Sequence, residues 1–441
     1  MILSTNNLFY KISFIFLAII FFLAIFAVFP IKILSYFFIL LVFFITAIFL
    51  INNQLGFFLL LLIRPLLDVL TNFNIISIGD LSFNVSAIFA IITIVLTILV
   101  YFESKVNLQE LKTKRFWWIF LAITFVSIVI SIDKFSSLTE WTRLLSIYAF
   151  FLLGYLIIKT KDDFIKLLEI IVFSGLIPSF FALYQFVNDS GMTLPMEGIT
   201  NRIYGTFAHP NLLAYYLVLI LSILGYLLLI KKGLFINSAL AVFYTVILIL
   251  TFTRGAWLAL IFIFFIVGAV KYRKMLFALI IVLLTIYVLV EPIRMRVNAL
   301  YQYNPDSSIE WRKNIWKDGF SIAKEKILIG HGTGTAHKII LEARREKAGS
   351  PDPHNDYLKL LIENGIIGVL SYLSIIVALL YNLAKGYFFS KNLEQKNLYL
   401  ILFSFSLVIF LLSSVDNVLR NTVLQWTLWA MLGGTFVDYR K

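Results

Sequence analysis

The sequence predicts an all-α, polytopic membrane protein, and three observations carry that prediction. The 441 residues are 61% hydrophobic and only 14% charged, more apolar than a water-soluble core of this size requires. The apolar residues come in repeated runs of roughly 16 to 20, close to the length that crosses a bilayer core at about 1.5 Å rise per residue. The runs do not alternate polar with apolar as the strands of a membrane barrel do, and helices satisfy their own backbone groups, as lipid demands.

Taken in order, spans are expected near 12–29, 33–51, 55–70, 85–102, 116–132, 143–158, 167–187, 211–230, 234–250, 255–270, 275–291, 358–384, 398–414 and 422–437. That makes about 12–14 transmembrane helices, the tightest divisions being at Pro30 and 231-KKG-233. The run at 12–29 lacks a small-residue cleavage site and leads at once into another, so it reads as a retained helix and not a signal peptide. No internal repeat stands out. Residues 1–291 are therefore the first part of a helical bundle, 292–357 one large extracytoplasmic loop with amphipathic helices, and 358–441 the last part of the bundle.

Orientation follows from charge. The net charge is +13, and much of the excess lies in short loops, which points to membrane orientation and not to a nucleic-acid partner. The segments 103-ESKVNLQELKTKR-115, 159-KTKDDFIK-166, 231-KK-232, 271-KYRK-274, 385-KGYFFSKNLEQK-396 and 440-RK-441 fall on one side if the spans alternate. Loops on the other side, such as 71-TNFNIISIGDLSFN-84 and 415-VDNVLRN-421, carry few cations. The positive-inside rule places both termini in the cytoplasm and 292–357 outside, since a loop of that length crosses whatever its charge. Cysteine is absent, which excludes disulfides, zinc–thiolate sites and a cysteine nucleophile.

Within the large loop, 307-SSIEWRKNIWKDGFSIAKEK-326 has capping-box spacing at Ser307 and Glu310. Ile309, Trp316, Phe320 and Ala323 share one helical face, so an amphipathic helix lying on the outer membrane surface is expected. The turn 330-GHGTG-334 follows; without a βαβ context it reads as a flexible turn, not a dinucleotide fingerprint.

Four ionisable residues are expected at one depth near the outer face: Arg143 heading the sixth span, Arg202 before the eighth, Arg254 between the ninth and tenth, and His354 at the mouth of the twelfth. Ionisable groups there are costly, which makes them functional candidates. Arginine offers a planar, bidentate cation matched to phosphate oxygens, and a pair could hold a diphosphate and stabilise its charge as it leaves. A neutral histidine could take a proton from an attacking hydroxyl, and the nearby helix N-terminus would disfavour the imidazolium of His354. Structural readings stand beside these. Arg254 also fits a snorkelling anchor, Arg143 a partner for Glu140, His209 a turn-shaping residue before Pro210, and His331 and His337 solvated surface groups. Glu363 fits either a second acid or a partner for Asn364 and nearby backbone, and Arg64 with Asp68 an internal i,i+4 pair. No carboxylate pair or histidine group has metal-ligand spacing.

The order of these motifs resembles the O-antigen ligase and polymerase superfamily. An outer-loop arginine precedes a GTFAHPN turn (Arg202 to Asn211), then comes TRGAW (to Trp257), a large outer loop with an R-x-x-x-W element (Arg312, Trp316) and a G-x-G-x-G turn, then PHNDYL and ENGIIG. The likeness covers roughly 195–370; the first 190 residues match only as a set of helices, and the ligases typically have twelve spans. It implies an inverting glycosyltransferase with a GT-C-like fold, needing no metal or cofactor, in the bacterial cytoplasmic membrane with its site on the extracytoplasmic face. Its donor would be an undecaprenyl-diphosphate-linked glycan, and its acceptor lipid A core or a growing polysaccharide. It implies His354, Arg254 and Arg202 as the catalytic set, with Arg143, Arg312, His209, Asn355 and Tyr357 expected to bind substrate. Ligase is slightly preferred to polymerase from the PHNDY and RGAW pattern, with protein glycosylation as a related option. From another class, a transporter of lipid-linked sugars would place its charges near the midplane, and a membrane scaffold would leave Arg202, Arg254 and His354 unexplained.

Overall fold

The computed structural model describes residues 31–70, 74–78, 81–104, 113–194, 199–289, 308–344 and 351–436, with isolated positions at 106, 108, 111, 291, 294 and 298. The span expected near 12–29 and the cap residue Ser307 lie outside the described residues. The architecture is a helical bundle. Among the described residues, six helical stretches are long and apolar enough to cross a membrane: Ser86–Ser104, Lys134–Ile157, Lys161–Val187, Pro210–Leu229, Asp356–Phe389 and Leu393–Leu412. Leu234–Leu250 and Arg254–Val270 are shorter apolar helices.

The elements in chain order are α1 (Ile31–Ile51), α2 (Asn53–Ile63), a 3₁₀ segment (Arg64–Leu70), β1 (Asn74–Ile78), β2 (Leu81–Asn84), α3 (Val85–Ser104), α4 (Lys114–Val126), α5 (Lys134–Ile157), α6 (Lys161–Ser174) and α7 (Leu176–Val187). Then come β3 (Met192–Leu194), β4 (Ile199–Arg202), α8 (Pro210–Leu229), α9 (Leu234–Leu250), α10 (Arg254–Val270), α11 (Arg273–Leu289), α12 (Ser308–Glu325), α13 (Ala336–Arg344), α14 (Asp356–Phe389), α15 (Leu393–Leu412) and α16 (Thr422–Thr435). The two strand pairs are antiparallel hairpins in loops where no strand was expected. The span expected over 55–70 is α-helical only to Ile63, because Pro65 lacks the N–H the helix needs; the chain goes on as a 3₁₀ turn.

Packing follows hydrophobicity. Helix α8 is apolar on all sides and is accordingly buried from Leu213 to Leu224. Helices α5 and α16 touch backbone to backbone. A Cβ at Gly154 would fall 1.9 Å from the Ala430 carbonyl oxygen, so only glycine allows the approach. Around this contact Trp426 stacks on Phe150 (4.6 Å) and Phe89 (5.3 Å).

The bundle has two chemically distinct ends. At one, Lys161 pairs with Glu394, and Asn397 accepts from Lys271 (2.5 Å) and from the Tyr272 hydroxyl (2.8 Å), so three of the Lys/Arg-bearing loops meet. At the other end lie Arg202, His209, Thr251, His354 and Asp416.

Helix α14 is broken at Gly365 (φ 63°, ψ −169°), a conformation that suits glycine. The segment 326–335 fills the break. His331 and Gly332 donate backbone N–H groups to the Ile362 and Glu363 carbonyls (2.9 and 2.8 Å), and Ile366 donates to Ile327 (2.8 Å). The GHGTG turn is thus packed, not flexible, and His331 is buried with Nε2 3.2 Å from the Ile322 carbonyl, not solvated. The cause is the broken helix, whose free backbone groups need partners in a water-poor interior. Glu363 sits beneath the turn, near the Ala336 N–H (3.4 Å) and Lys359 (3.7 Å). Helix α12 packs through Ile315, Ile322 and Ala323 on Leu358 and Ile362 of α14. It packs on protein through Ile315 and Ile322, while Phe320, expected with Ala323 on a face turned to the membrane surface, is exposed.

Candidate functional site

His354 stands just before α14. It takes a left-handed backbone (φ 45°), uncommon for a residue with a Cβ, held by its N–H donating to Asp352 (3.2 Å). Asn355 caps α14 by accepting from the Leu358 N–H (2.9 Å). Asp356 ties the helix to the α15–α16 turn: its N–H donates to the Ser413 carbonyl (2.8 Å) and its carboxylate accepts from the Leu419 N–H (2.6 Å). That turn carries Asp416, and so delivers a carboxylate to the imidazole.

His354 Nδ1 lies 3.2 Å from Asp416 Oδ1. A neutral His354 therefore donates through Nδ1 and keeps Nε2 as an acceptor. Asp416 is held from every side: Asn417 N–H on Oδ1 (2.8 Å), with Asn211 Nδ2 (2.9 Å) and the Tyr215 hydroxyl (3.1 Å) on Oδ2. Burial pushes its pKa up, but the bond and charge of His354, the Arg312 charge and the Asn417 N–H outweigh it and hold the carboxyl below its ordinary value.

Arg202 reaches the same carboxylate through Asn211. Its Nη2 donates to Asn211 Oδ1 (3.0 Å) and Thr253 Oγ1 (3.2 Å), and its Nε to the Thr251 carbonyl (3.0 Å). Burial, eased by Asp416 and reinforced by the Arg254 charge, lowers its pKa to about 10, still protonated at neutral pH. Arg254 begins α10, half-buried, near enough to Arg202 and Arg312 for the charges to be felt. Arg312 stands on α12 next to Trp311, whose ring meets that of His354 edge-on at 5.4 Å. Trp316 fixes α12 to the histidine's loop through Nε1 to the Pro353 carbonyl (2.7 Å).

His209 is the N-cap of α8, its Nδ1 accepting from the Asn211 N–H (3.1 Å), and it faces the same cavity. Burial and then the Arg202 charge press its pKa down to about 4. Arg143 grips Glu140 with two nitrogens (2.9 and 2.8 Å) and donates Nη1 to the Leu419 carbonyl (2.8 Å) while also lining the cavity. Asn355 and Tyr357, expected at substrate, are turned to structure: Asn355 is the helix cap, and the Tyr357 hydroxyl donates to the Phe410 carbonyl (2.6 Å).

Of these groups, Arg143, His209, Asn211, Tyr215, His354 and Asp416 line a cavity of about 830 Å³, whose lining does not include Arg202, Arg254 or Arg312. The Arg420–Asp352 ion pair adds to the polar part of the lining. The buried Arg64–Asp68 pair (2.9 Å) closes its depth under Trp426. The lining also has an apolar part, Ala87, Ala90, Ile91, Phe135 and Leu138, of which Ile91 and Leu138 are exposed. Sequence reasoning missed Asp416, Asn211 and Tyr215. The available signal for Asp416 was a single carboxylate in the cation-poor loop 415-VDNVLRN-421.

No curated protein matches the sequence. Residues 239–373 match the family model described as O-antigen ligase, a stretch that includes Arg254, Arg312 and His354. Its function is accordingly of the O-antigen ligase or polymerase type. Through that segment this multi-pass, all-α membrane protein is similar to the O-antigen ligase superfamily.

Proposed function

We propose that the chain is an inverting, metal-independent glycosyltransferase with a GT-C-like arrangement, moving a glycan from an undecaprenyl-diphosphate carrier to a sugar hydroxyl. The acceptor sugar belongs to lipid A core in the preferred ligase reading. The observation that carries the proposal is the His354–Asp416 contact in a cavity lined by both charged and apolar side chains. A polyprenyl diphosphate has both characters: a diphosphate for the charged side chains and a tail for the apolar ones and the adjoining lipid. The site faces the extracytoplasmic side of the cytoplasmic membrane, with the bundle parts 1–291 and 358–441 holding the donor and 292–357 covering it.

In this mechanism Asp416 keeps His354 oriented with Nε2 toward the acceptor. The acceptor oxygen attacks the anomeric carbon as the bond from that carbon to the diphosphate oxygen breaks. The hydroxyl proton passes to Nε2, and the bonding electrons leave on the diphosphate. Arg254 and Arg312, with Arg202 behind them, stabilise the growing negative charge. The imidazolium formed is stabilised by Asp416, the role a buried carboxylate has beside any general-base histidine.

The test is to incubate purified protein with lipid-linked oligosaccharide, with and without lipid A core, and to repeat it with His354→Ala. The expected result is a glycan-capped acceptor, with the variant losing at least about 10²-fold in rate. A lengthened donor would identify a repeat-unit polymerase using the same chemistry. Transfer undiminished in the folded variant, or movement of the donor across vesicles without any transfer, overturns the proposal.

A further inference from the structure

The break in α14 also marks a level in the membrane. Its outer part, Asp356–Gly365, carries Asp356, Lys359, Glu363 and Asn364, whereas Ile366–Phe389 runs about 24 residues, close to the roughly 20 that cross a hydrocarbon core. The break therefore lies where the bilayer surface begins at the cavity's end of the bundle. Against it runs 327-ILI-329, three consecutive apolar residues left 44%, 61% and 51% exposed. They continue a lipid-facing stripe on α14: Ile367, Leu370, Val377 and Tyr381 are all exposed at helical spacing. The segment's backbone is prepared for an apolar setting, since the Ile327 and Leu328 carbonyls accept from the Ile366 and Ile367 N–H groups (2.8 and 3.4 Å). Immediately before it, Lys324 and Lys326 are exposed, placed as lysines are at a phospholipid headgroup layer.

We propose that 327-ILI-329 is a membrane anchor, inserted into the leaflet beside the Gly365 break with Lys324 and Lys326 against lipid phosphates. The anchor steadies α12, which presents Trp311 to His354 and the Arg312 charge to Asp416. This holds whichever glycan is transferred. The absence of native cysteine permits a direct test on the full chain. Leu328→Cys and, separately, Ile329→Cys carry a nitroxide in phosphatidylethanolamine and phosphatidylglycerol vesicles, with Leu370→Cys as lipid-facing reference and His337→Cys as water-facing reference. The expected result is that labels at 328 and 329 relax more with oxygen than with a water-soluble nickel chelate, as at 370. Preference for the nickel chelate, as at 337, overturns the anchor. Shielding from both reagents also overturns it, since the patch would then be covered by protein.

Discussion

Asp416 is the residue on which the site's geometry turns, because it receives hydrogen bonds from four groups at once. Replacing it with Asn keeps the shape but removes the charge that supports an imidazolium and orients Nδ1. Asp416→Asn is expected to lower the transfer rate by about 10- to 100-fold or more, with a much smaller effect on donor binding; unchanged turnover in the folded variant would show that His354 needs no carboxylate. His209 gives a prediction in pH. Its pKa falls from 6.5 to about 4 on folding, so between those values the unfolded chain binds a proton that the folded chain does not. Stability is then full above about 6.5, declines as pH falls toward 4, and levels off below. Asp416 and Asp352, also held low, add to the loss at more acid pH. The difference in thermal stability in detergent between the protein and its His209→Gln variant should show this slope between about pH 6.5 and 4. The residue types at the site were legible in the sequence, because arginine, histidine and apolar flanks announce themselves locally. Which carboxylate meets His354 was not, since Asp416 lies 62 residues away and only folding brings it near.

At the level of elements, the junction of α14 with the 326–335 segment decides how the outer loop is held. Gly365 combines a positive φ with a close neighbour: an added Cβ would meet the Leu328 carbonyl oxygen at 2.2 Å. Beside it Asn364 donates to Ser127 (2.8 Å) and Thr333 (2.7 Å), linking α14, α4 and the GHGTG turn in one buried network. Gly365→Ala is expected to destabilise the protein by at least about 1–3 kcal/mol and to loosen α12 from the site, read as a lower unfolding temperature together with weaker transfer. A fully stable, fully active variant would show that the break is incidental. Helix positions were largely readable from hydropathy, which is a local property. The break was not: the pattern ENGIIG looks like continuous helix, and only the strand-like contact with 326–335 makes the left-handed glycine favourable.

Across the whole molecule, the separation of its two ends makes the topology testable. Single cysteines placed at Lys161 and Asn392 should react with an impermeant reagent from one side of the membrane, and one placed at His337 from the other. Labelling of all three from the same side would contradict the bundle's polarity. What the sequence by itself determined was an apolar helical membrane protein, the order of its helices, and a cluster of cations with one histidine at a single end, since composition and periodicity act over a few neighbouring residues. Only the tertiary structure decided that Arg202 is hydrogen-bonded to Asn211, that Asp416 faces His354, that Tyr357 turns into the bundle, and that a glycine turn fills a broken helix. Each of these depends on groups far apart in the chain meeting where water is scarce, and there every buried donor and charge must find a partner.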